Sequence, residues 1–248
     1  LRFRDEDGKP LLDKILDVAG QKGTGKWSAI AAMDENDPLT LITEAVYARL
    51  LSALYPERIK AASLYSGKLK VESGKLSDNA QLSIEDVRQA LYAAKLISYA
   101  QGFSLLRHAS EHYGWDLDYG TIARIWRKGC IIRSVFLQKI TEAYRKDPDL
   151  ENLLFDDFFH TKIQEALPAW RRVVAEGALS GVALPAMSSA LNYFDGLRTL
   201  YSAANMIQAQ RDYFGAHTYE RTDRERGHFF HTNWTGEGGN TVSGTYSV

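Results

Sequence analysis

An unbroken helical period over residues 83–113 constrains the fold of this chain more than any other feature. Asp86 stands three residues after Ser83, as in a capping box, and Gly114 follows the period as a stop signal. The Gln-Gly pair at 101–102 indicates that another helix packs closely there. The residues that keep the period are Ile84, Val87, Leu91, Ala94, Ile97 and Phe103. We therefore predict one long helix over this segment.

Shorter helical patterns fill most of the remaining chain. They predict helices over 11–19, 27–33, 40–62, 118–127, 130–144, 185–200 and 203–213. Pro168 is expected to interrupt the pattern around it, and 66–75 is expected to be an exposed excursion with a short strand-like piece. No run is long or regular enough for a β-sheet. The sequence therefore predicts an all-α fold class.

Residues 216–248 have no helical period and are rich in glycine and aromatic residues. We predict a helical domain over 1–215 and an extended tail over 216–248. The tail either folds back on its own domain or crosses to another subunit. Its aromatic content favours the crossing, because aromatic side chains anchor well in the pockets of a partner.

Composition excludes several classes of function. Lys+Arg 30 against Asp+Glu 31 gives a net charge of -1, so no general basic field invites nucleic acid. No apolar run approaches the length of a membrane span, and residues 1–6 do not form a signal peptide. The single cysteine, Cys130, fits a reducing, cytoplasmic compartment and a buried, inert thiol. The start without methionine suggests a fragment.

The stretch 20–27 brings together three glycines, two lysines and a threonine. Gly20, Gly25 and Lys26 fit the spacing of a nucleotide P-loop, but Trp27 occupies the position of the hydroxyl residue. The preceding residues 11–19 have the period of a helix and not of a strand. Two interpretations stay open: an anion-binding turn between two helices, or a helix C-cap followed by a surface loop.

Five residues have the chemistry of an anion site: Lys22, Thr24, Arg49, Arg211 and His217. Guanidinium binds phosphate through two parallel hydrogen bonds, and imidazole adds a contact that depends on its protonation. The spacing alone does not bring these residues together. Arg49 could equally pair with an acidic neighbour while its stem packs on the core.

Other candidates have a simpler interpretation. His108 and His112 lie one helical turn apart with Glu111 between them, but the order of a zinc-protease motif is absent. We interpret them as exposed helix histidines and predict no metal site. No catalytic arrangement of serine, histidine and aspartate can be identified.

Four stretches of the chain resemble the 6-phosphogluconate dehydrogenase family. They are DVAGQKGTGKW at 17–27, TLITEAVYAR at 40–49, QAQRDYFGAHTYE at 208–220 and FHTNWTG at 230–236. The similarity covers essentially the whole chain in the family's order. Motifs of this length are far more specific than a lone glycine-rich loop.

The resemblance implies a multi-helix C-terminal domain and a homodimer whose tails thread through the partner. It implies that Lys22, Thr24 and Arg49 bind the substrate, 6-phosphogluconate. It also implies that Arg211 and His217 reach in from the neighbouring subunit to hold the phosphate.

The resemblance also implies the reaction. NADP-dependent oxidation of 6-phosphogluconate at C3 is followed by loss of carbon dioxide, which gives ribulose 5-phosphate in the pentose phosphate pathway. The family's general base, a lysine, its general acid, a glutamate, and its dinucleotide-binding domain belong to an upstream stretch not found here. We therefore expect no turnover by this chain alone. Ser243, Gly244, Thr245 and Tyr246 are expected to touch the partner's cofactor.

Two alternatives remain at the level of sequence. The chain could be a non-catalytic helical dimerisation or binding module. It could also be a phosphotransferase that uses Lys22 and Lys26, although Trp27 argues against this.

Overall fold

A computed structural model of the chain describes residues 2–65 and 82–236. The helices in these ranges are α1 (Thr24–Asp34), α2 (Thr40–Ala53), α3 (Tyr55–Tyr65), α4 (Ile84–Tyr113), α5 (Tyr119–Ile125), α6 (Leu137–Lys146), α7 (Asp157–Leu179), α8 (Pro185–Leu197) and α9 (Ala204–Gly215). The chain divides into two compact units, residues 1–194 and 195–248. The predicted all-α class is confirmed. The predicted excursion at 66–75 lies outside the described residues.

The core of the first unit forms where α4 packs against α7. Its largest fully buried side chains include Leu96, Ile97, Phe103, Phe159 and Trp170. Each such side chain stabilises the fold by about 1.5–3 kcal/mol relative to an exposed one. The ends of α4 follow the sequence signals. Ser83 Oγ accepts from the Asp86 amide at 3.0 Å, and Gly114 ends the helix at φ 66°.

The predicted helix over 11–19 is wrong. Only Leu11–Lys14 forms a short 3-10 turn, and the chain from Ile15 to Gly23 is irregular. Leu12, Ile15 and Leu16 are all more than half exposed. Amphipathic spacing does not make a helix here, because most helical stability comes from packing an apolar face against a core.

The predicted helix over 40–62 is two helices, α2 and α3, separated by Leu54. Pro56 has no N–H to donate to the carbonyl of Ser52, four residues earlier. The Arg58 guanidinium donates to that carbonyl instead, at 3.1 Å. Where α2 ends, a side-chain hydrogen bond from Arg58 thus replaces the backbone hydrogen bond that a continuous helix would form.

Two further boundaries differ from expectation. Pro168 lies inside α7 and does not interrupt it, because buried side chains on both sides, Phe159 before it and Trp170 after it, pack into one core. The predicted helix over 130–144 begins only at Leu137. Tyr99 donates its hydroxyl to the Ile132 carbonyl, which holds the preceding segment in an irregular conformation.

The second unit contains α9 and a short antiparallel hairpin. Strand β1 (Tyr219–Glu220) pairs with β2 (Phe229–Phe230). The described part of the tail is thus ordered around a hairpin. Among the helices of the described ranges, none combines the length and the apolar character that a membrane crossing requires.

Candidate functional site

The glycine-rich stretch forms a turn that opens α1. Gly23 adopts φ 101°, a left-handed conformation that residues other than glycine rarely adopt. Its carbonyl accepts a hydrogen bond from the Trp27 amide at 2.9 Å. The Trp27 ring lies 3.5 Å from where a Cβ on Gly23 would stand. An irregular segment precedes the turn, and the only strands of the described ranges lie in the second unit. The turn is therefore not a nucleotide P-loop.

The first turn of α1 has the properties of an anion site. Gly23 provides no side chain to cap the helix, so the first amides have no acceptor within it. Thr24, at the start of this turn, and Lys22, just before it, are both exposed. Backbone donors, a positive helix end, a hydroxyl and an ammonium group are thus placed together.

The crossing of α1 and α2 brings Arg49 to the same turn. A Cβ on Gly25 would stand 2.7 Å from Val46 Cγ2, so the helices approach closely only because residue 25 is glycine. One helical turn further along α2, the Arg49 guanidinium donates to the carbonyl of Gly20. The structure therefore brings Arg49 to the turn that carries Lys22 and Thr24. Within the described ranges, the partner of Arg49 is this carbonyl and not an acidic neighbour.

Two residues that the sequence did not single out hold the segment before the turn. Ser52 Oγ accepts from the Ala19 amide at 2.9 Å and donates to the Arg49 carbonyl at 2.7 Å. Arg58 forms an ion pair with Asp17, and this hydrogen bond lowers the pKa of the Asp17 carboxyl. The available signal for Arg58 was Pro56, which lies in the first turn of the helix that carries it.

The second unit holds Arg211 and His217 in a connected arrangement. Arg211 Nη1 donates to Gln208 Oε1 at 3.0 Å, and Gln208 Nε2 donates to the Thr218 carbonyl at 2.7 Å. A Cβ on Gly215 would stand 2.7 Å from His217 Nε2, so the imidazole lies directly against this glycine. Gln208 thus ties the arginine of α9 to the segment that carries the histidine.

Asp212, beside Arg211 on α9, is the buried hydrogen-bond acceptor of this unit. It receives hydrogen bonds from His231 Nδ1 at 2.9 Å, the Thr232 amide at 3.0 Å and Trp234 Nε1 at 2.8 Å. Burial disfavours its charge, but these donors outweigh burial and hold the pKa of Asp212 below its usual value. Asp212 therefore fastens the segment after the hairpin to α9.

The remaining predicted positions have simple outcomes. Arg211 and His217 belong to a different unit from Lys22, Thr24 and Arg49, and their convergence across two subunits stays a prediction. Ser243, Gly244, Thr245 and Tyr246 lie outside the described residues.

The two histidines of α4 have acidic partners. His108 is paired with Asp37 at 2.9 Å, and His112 is paired with Glu35 at 2.8 Å. No cluster of three potential metal ligands occurs in the described part of the chain.

A family model described as 6-phosphogluconate dehydrogenase, C-terminal domain, matches residues 1–234. The chain belongs to the 6-phosphogluconate dehydrogenase family. The resemblance seen in the sequence is thereby confirmed.

Relatives of this family extend beyond the chain. Decarboxylating 6-phosphogluconate dehydrogenases of Aggregatibacter actinomycetemcomitans and Rattus norvegicus are each 53% identical over 248 residues, which is 100% of this chain and 50% of the relative. The relative from Cunninghamella elegans is 54% identical with the same coverage. The chain thus spans about half the length of the curated relatives it matches.

A solved 6-phosphogluconate dehydrogenase from Plasmodium falciparum has the same fold as this chain. The TM-score is 0.81 at 40% identity, over 93% of this chain and 49% of that one. That enzyme is described in its apo form, with its cofactor NADP+ and with its substrate 6-phosphogluconate. The family therefore contains a member whose two ligands are known.

Proposed function

We propose that this chain forms the substrate-binding and dimerisation half of an NADP-dependent, decarboxylating 6-phosphogluconate dehydrogenase in the cytoplasm. The proposed reaction oxidises C3 of 6-phosphogluconate, and the resulting 3-keto acid loses carbon dioxide to give ribulose 5-phosphate. The name shared by the curated relatives supports this assignment.

The observation that carries the proposal is the uncapped N-terminus of α1 with Lys22, Thr24 and Arg49 around it. Arg49 donates to a neutral carbonyl in this structure. A phosphorylated sugar acid offers the guanidinium a charged acceptor, and charge-assisted hydrogen bonds are about twice as strong as neutral ones. Binding a phosphosugar at this turn is therefore favourable without any change in the fold.

The partner subunit supplies the second part of the clamp in this proposal. Gln208 occupies Nη1 of Arg211, and none of the described residues pairs with the Nε edge of the guanidinium. This edge suits a bidentate contact with phosphate. His217, held against Gly215, adds a further polar contact from its imidazole. Both residues act from the neighbouring protomer of a homodimer.

NADP supplies the hydride acceptor of the proposed reaction. The residues expected to touch it, 243–246, lie outside the described ranges. Within those ranges, no glycine-rich loop joins a strand to a helix, which is the arrangement that binds a dinucleotide. The contribution of the described residues is therefore to bind and orient the sugar acid, which lowers the barrier by fixing the reacting geometry.

Replacement of Arg211 by Lys in the protein that contains this chain tests the proposal. Loss of the bidentate contact should raise the KM for 6-phosphogluconate about 10- to 100-fold and leave the KM for NADP within about twofold. Arg198→Lys, which alters an ion pair with Asp195 in the same unit, is the matched control. Equal weakening of both ligands, or no weakening of either, contradicts the assignment.

A further inference from the structure

One face of α4 carries a polar stripe, formed by Gln101, Ser104, His108 and His112. Their spacing of three, four and four residues places them on the same side of the helix. Gln101 is fully buried, and Ser104 is nearly so. Gln101 contacts Thr40 and Leu41 in the first turn of α2. Ser104 and His108 both contact Asp37, and His112 contacts Glu35, which lie between α1 and α2.

Gln101 caps α2 from a neighbouring helix. Leu39, the N-cap residue of α2, makes no side-chain hydrogen bond to the helix. Gln101 Oε1 accepts from the Leu41 amide at 3.1 Å, and its Nε2 donates to Thr40 Oγ1 at 2.8 Å. A first-turn amide that would otherwise lack an acceptor is satisfied in this way.

Asp37 fixes the turn before α2 to the same face of α4. Its Oδ2 accepts from Ser104 Oγ at 2.7 Å and from His108 Nδ1 at 2.9 Å. The Arg107 guanidinium lies 2.9 Å from His108 Nε2. Since a guanidinium only donates, Nε2 accepts, and the proton of the neutral imidazole is on Nδ1, facing Asp37. His108 therefore makes this contact as one defined tautomer.

The end of α1 is held one helical turn further along α4. His112 Nδ1 lies 2.8 Å from a carboxylate oxygen of Glu35, whose side chain is buried. A hydrogen bond between the Tyr113 hydroxyl and Glu35 raises the pKa of Tyr113. Both ends of the segment between α1 and α2 are thus fastened to α4.

We propose that Gln101 is a positioning residue for the phosphosugar site. Helix α1 begins with Thr24, and α2 carries Arg49. Both helices meet at the segment that the polar stripe holds, so the amide of Gln101 sets the place of α2 and, with it, the place of the Arg49 guanidinium relative to the glycine-rich turn. This inference rests on the proposed function for its ligand, but the contacts that carry it lie far along the chain from the turn itself.

The variant Gln101→Met tests the inference, because methionine keeps the size of the side chain and removes both hydrogen bonds. Gln89→Met is the matched control: it is the same change on the same helix, at an amide whose one hydrogen bond within the described ranges is to Glu85 of its own helix. Isothermal titration of the protein that contains this chain measures the affinity for 6-phosphogluconate. We expect affinity to fall about tenfold for Gln101→Met and to stay unchanged for Gln89→Met.

A double-mutant cycle separates positioning from a merely structural role. If Gln101 acts through Arg49, Gln101→Met has no further effect on affinity once Arg49→Ala is present, because residues that act as a unit are not additive. An unchanged affinity for Gln101→Met, or the same fold-loss in both backgrounds, overturns the inference while the proposed function stands.

Amide hydrogen exchange gives a second readout that needs no ligand. Gln101→Met should speed exchange in peptides covering 39–46 and 20–28, and Gln89→Met should not. If the wild-type protein does not bind 6-phosphogluconate, the proposed function fails, and exchange alone decides whether Gln101 fixes α2. Unchanged exchange in both peptides overturns the inference in every case.

Discussion

Gly25 and Val46 meet where α1 crosses α2, with Val46 Cγ2 only 2.7 Å from the place where a Cβ on Gly25 would stand. Thr24 is the neighbour of Gly25 on α1, and Arg49 lies one turn after Val46 on α2. The contact between Gly25 and Val46 therefore decides the distance between Thr24 and Arg49. The close approach is required for the site, since a wider crossing would carry the guanidinium away from the Gly20 carbonyl.

Gly25→Ala is expected to weaken both the fold and the site. The valine side chain is stiff at χ1, so the helices must move apart, at a cost of about 1–3 kcal/mol. Urea denaturation measures the stability of the fold, and calorimetric titration measures the affinity for 6-phosphogluconate.

In the double variant, Val46→Ala should restore much of the stability and much of the affinity that Gly25→Ala removes. Gly102→Ala is the control, because its Cβ meets nothing within 4 Å. An equal loss of stability in Gly25→Ala and Gly102→Ala would contradict the role given to the contact between Gly25 and Val46.

Gly215→Ala should affect the phosphosugar site with little effect on stability. An added Cβ would displace the His217 ring, which lies 2.7 Å away. We expect a rise of about tenfold in the KM for 6-phosphogluconate, in line with the loss of one contact to a charged group. Gly196→Ala, in the same unit and with no atom within 4 Å of its Cβ, should leave the KM unchanged. An unchanged KM for Gly215→Ala would remove His217 from the proposed site.

Asp212→Asn is expected to cost about 1–3 kcal/mol, because an amide cannot accept from all three donors that the carboxylate satisfies. The pKa of Asp212 is lower in the folded than in the unfolded chain. Its stabilisation is therefore present above the unfolded pKa, about 3.9, and is lost as the pH falls through the folded value. The wild-type protein should lose stability in acid more steeply than the variant. Parallel stability curves for the two proteins would contradict this role.

The 248-residue chain alone is expected to show no reduction of NADP with 6-phosphogluconate. The chain spans about half the length of its relatives, and the lysine and glutamate implied as base and acid are not found in it. The rate of NADPH formation is measured by its absorbance. The wild-type enzyme of a relative is the positive control. Turnover above the uncatalysed rate would place the catalytic groups inside this chain.

Local signals were sufficient where the physics is local. The capping box at Ser83 and the stop at Gly114 set the ends of α4, since both act through hydrogen bonds and backbone conformation within a few residues. The period over 11–19 was misleading because no core covers its apolar residues. Pro168 was misleading in the opposite direction, because packing on both sides holds α7 together.

The candidate site was predictable only in part. Lys22, Thr24 and Arg49 were identified from the glycine-rich stretch and the family resemblance, and the structure brings Arg49 to the turn that carries the other two. Ser52, Arg58 and Asp212 were missed, and Gln101 was noted only as a point of close packing, because each acts through contacts with residues distant in the sequence. No period or motif specifies such contacts before the helices are packed.

Mixed dimers give the most direct test of the central claim, that one phosphosugar site is built from Arg49 of one subunit and Arg211 of the other. Arg49→Ala and Arg211→Ala subunits, each carrying a different affinity tag, are refolded together and the heterodimer is isolated. A shared site predicts that the heterodimer regains one intact site, with wild-type KM for 6-phosphogluconate and about half the activity per dimer. A heterodimer as impaired as its two parents would contradict the account.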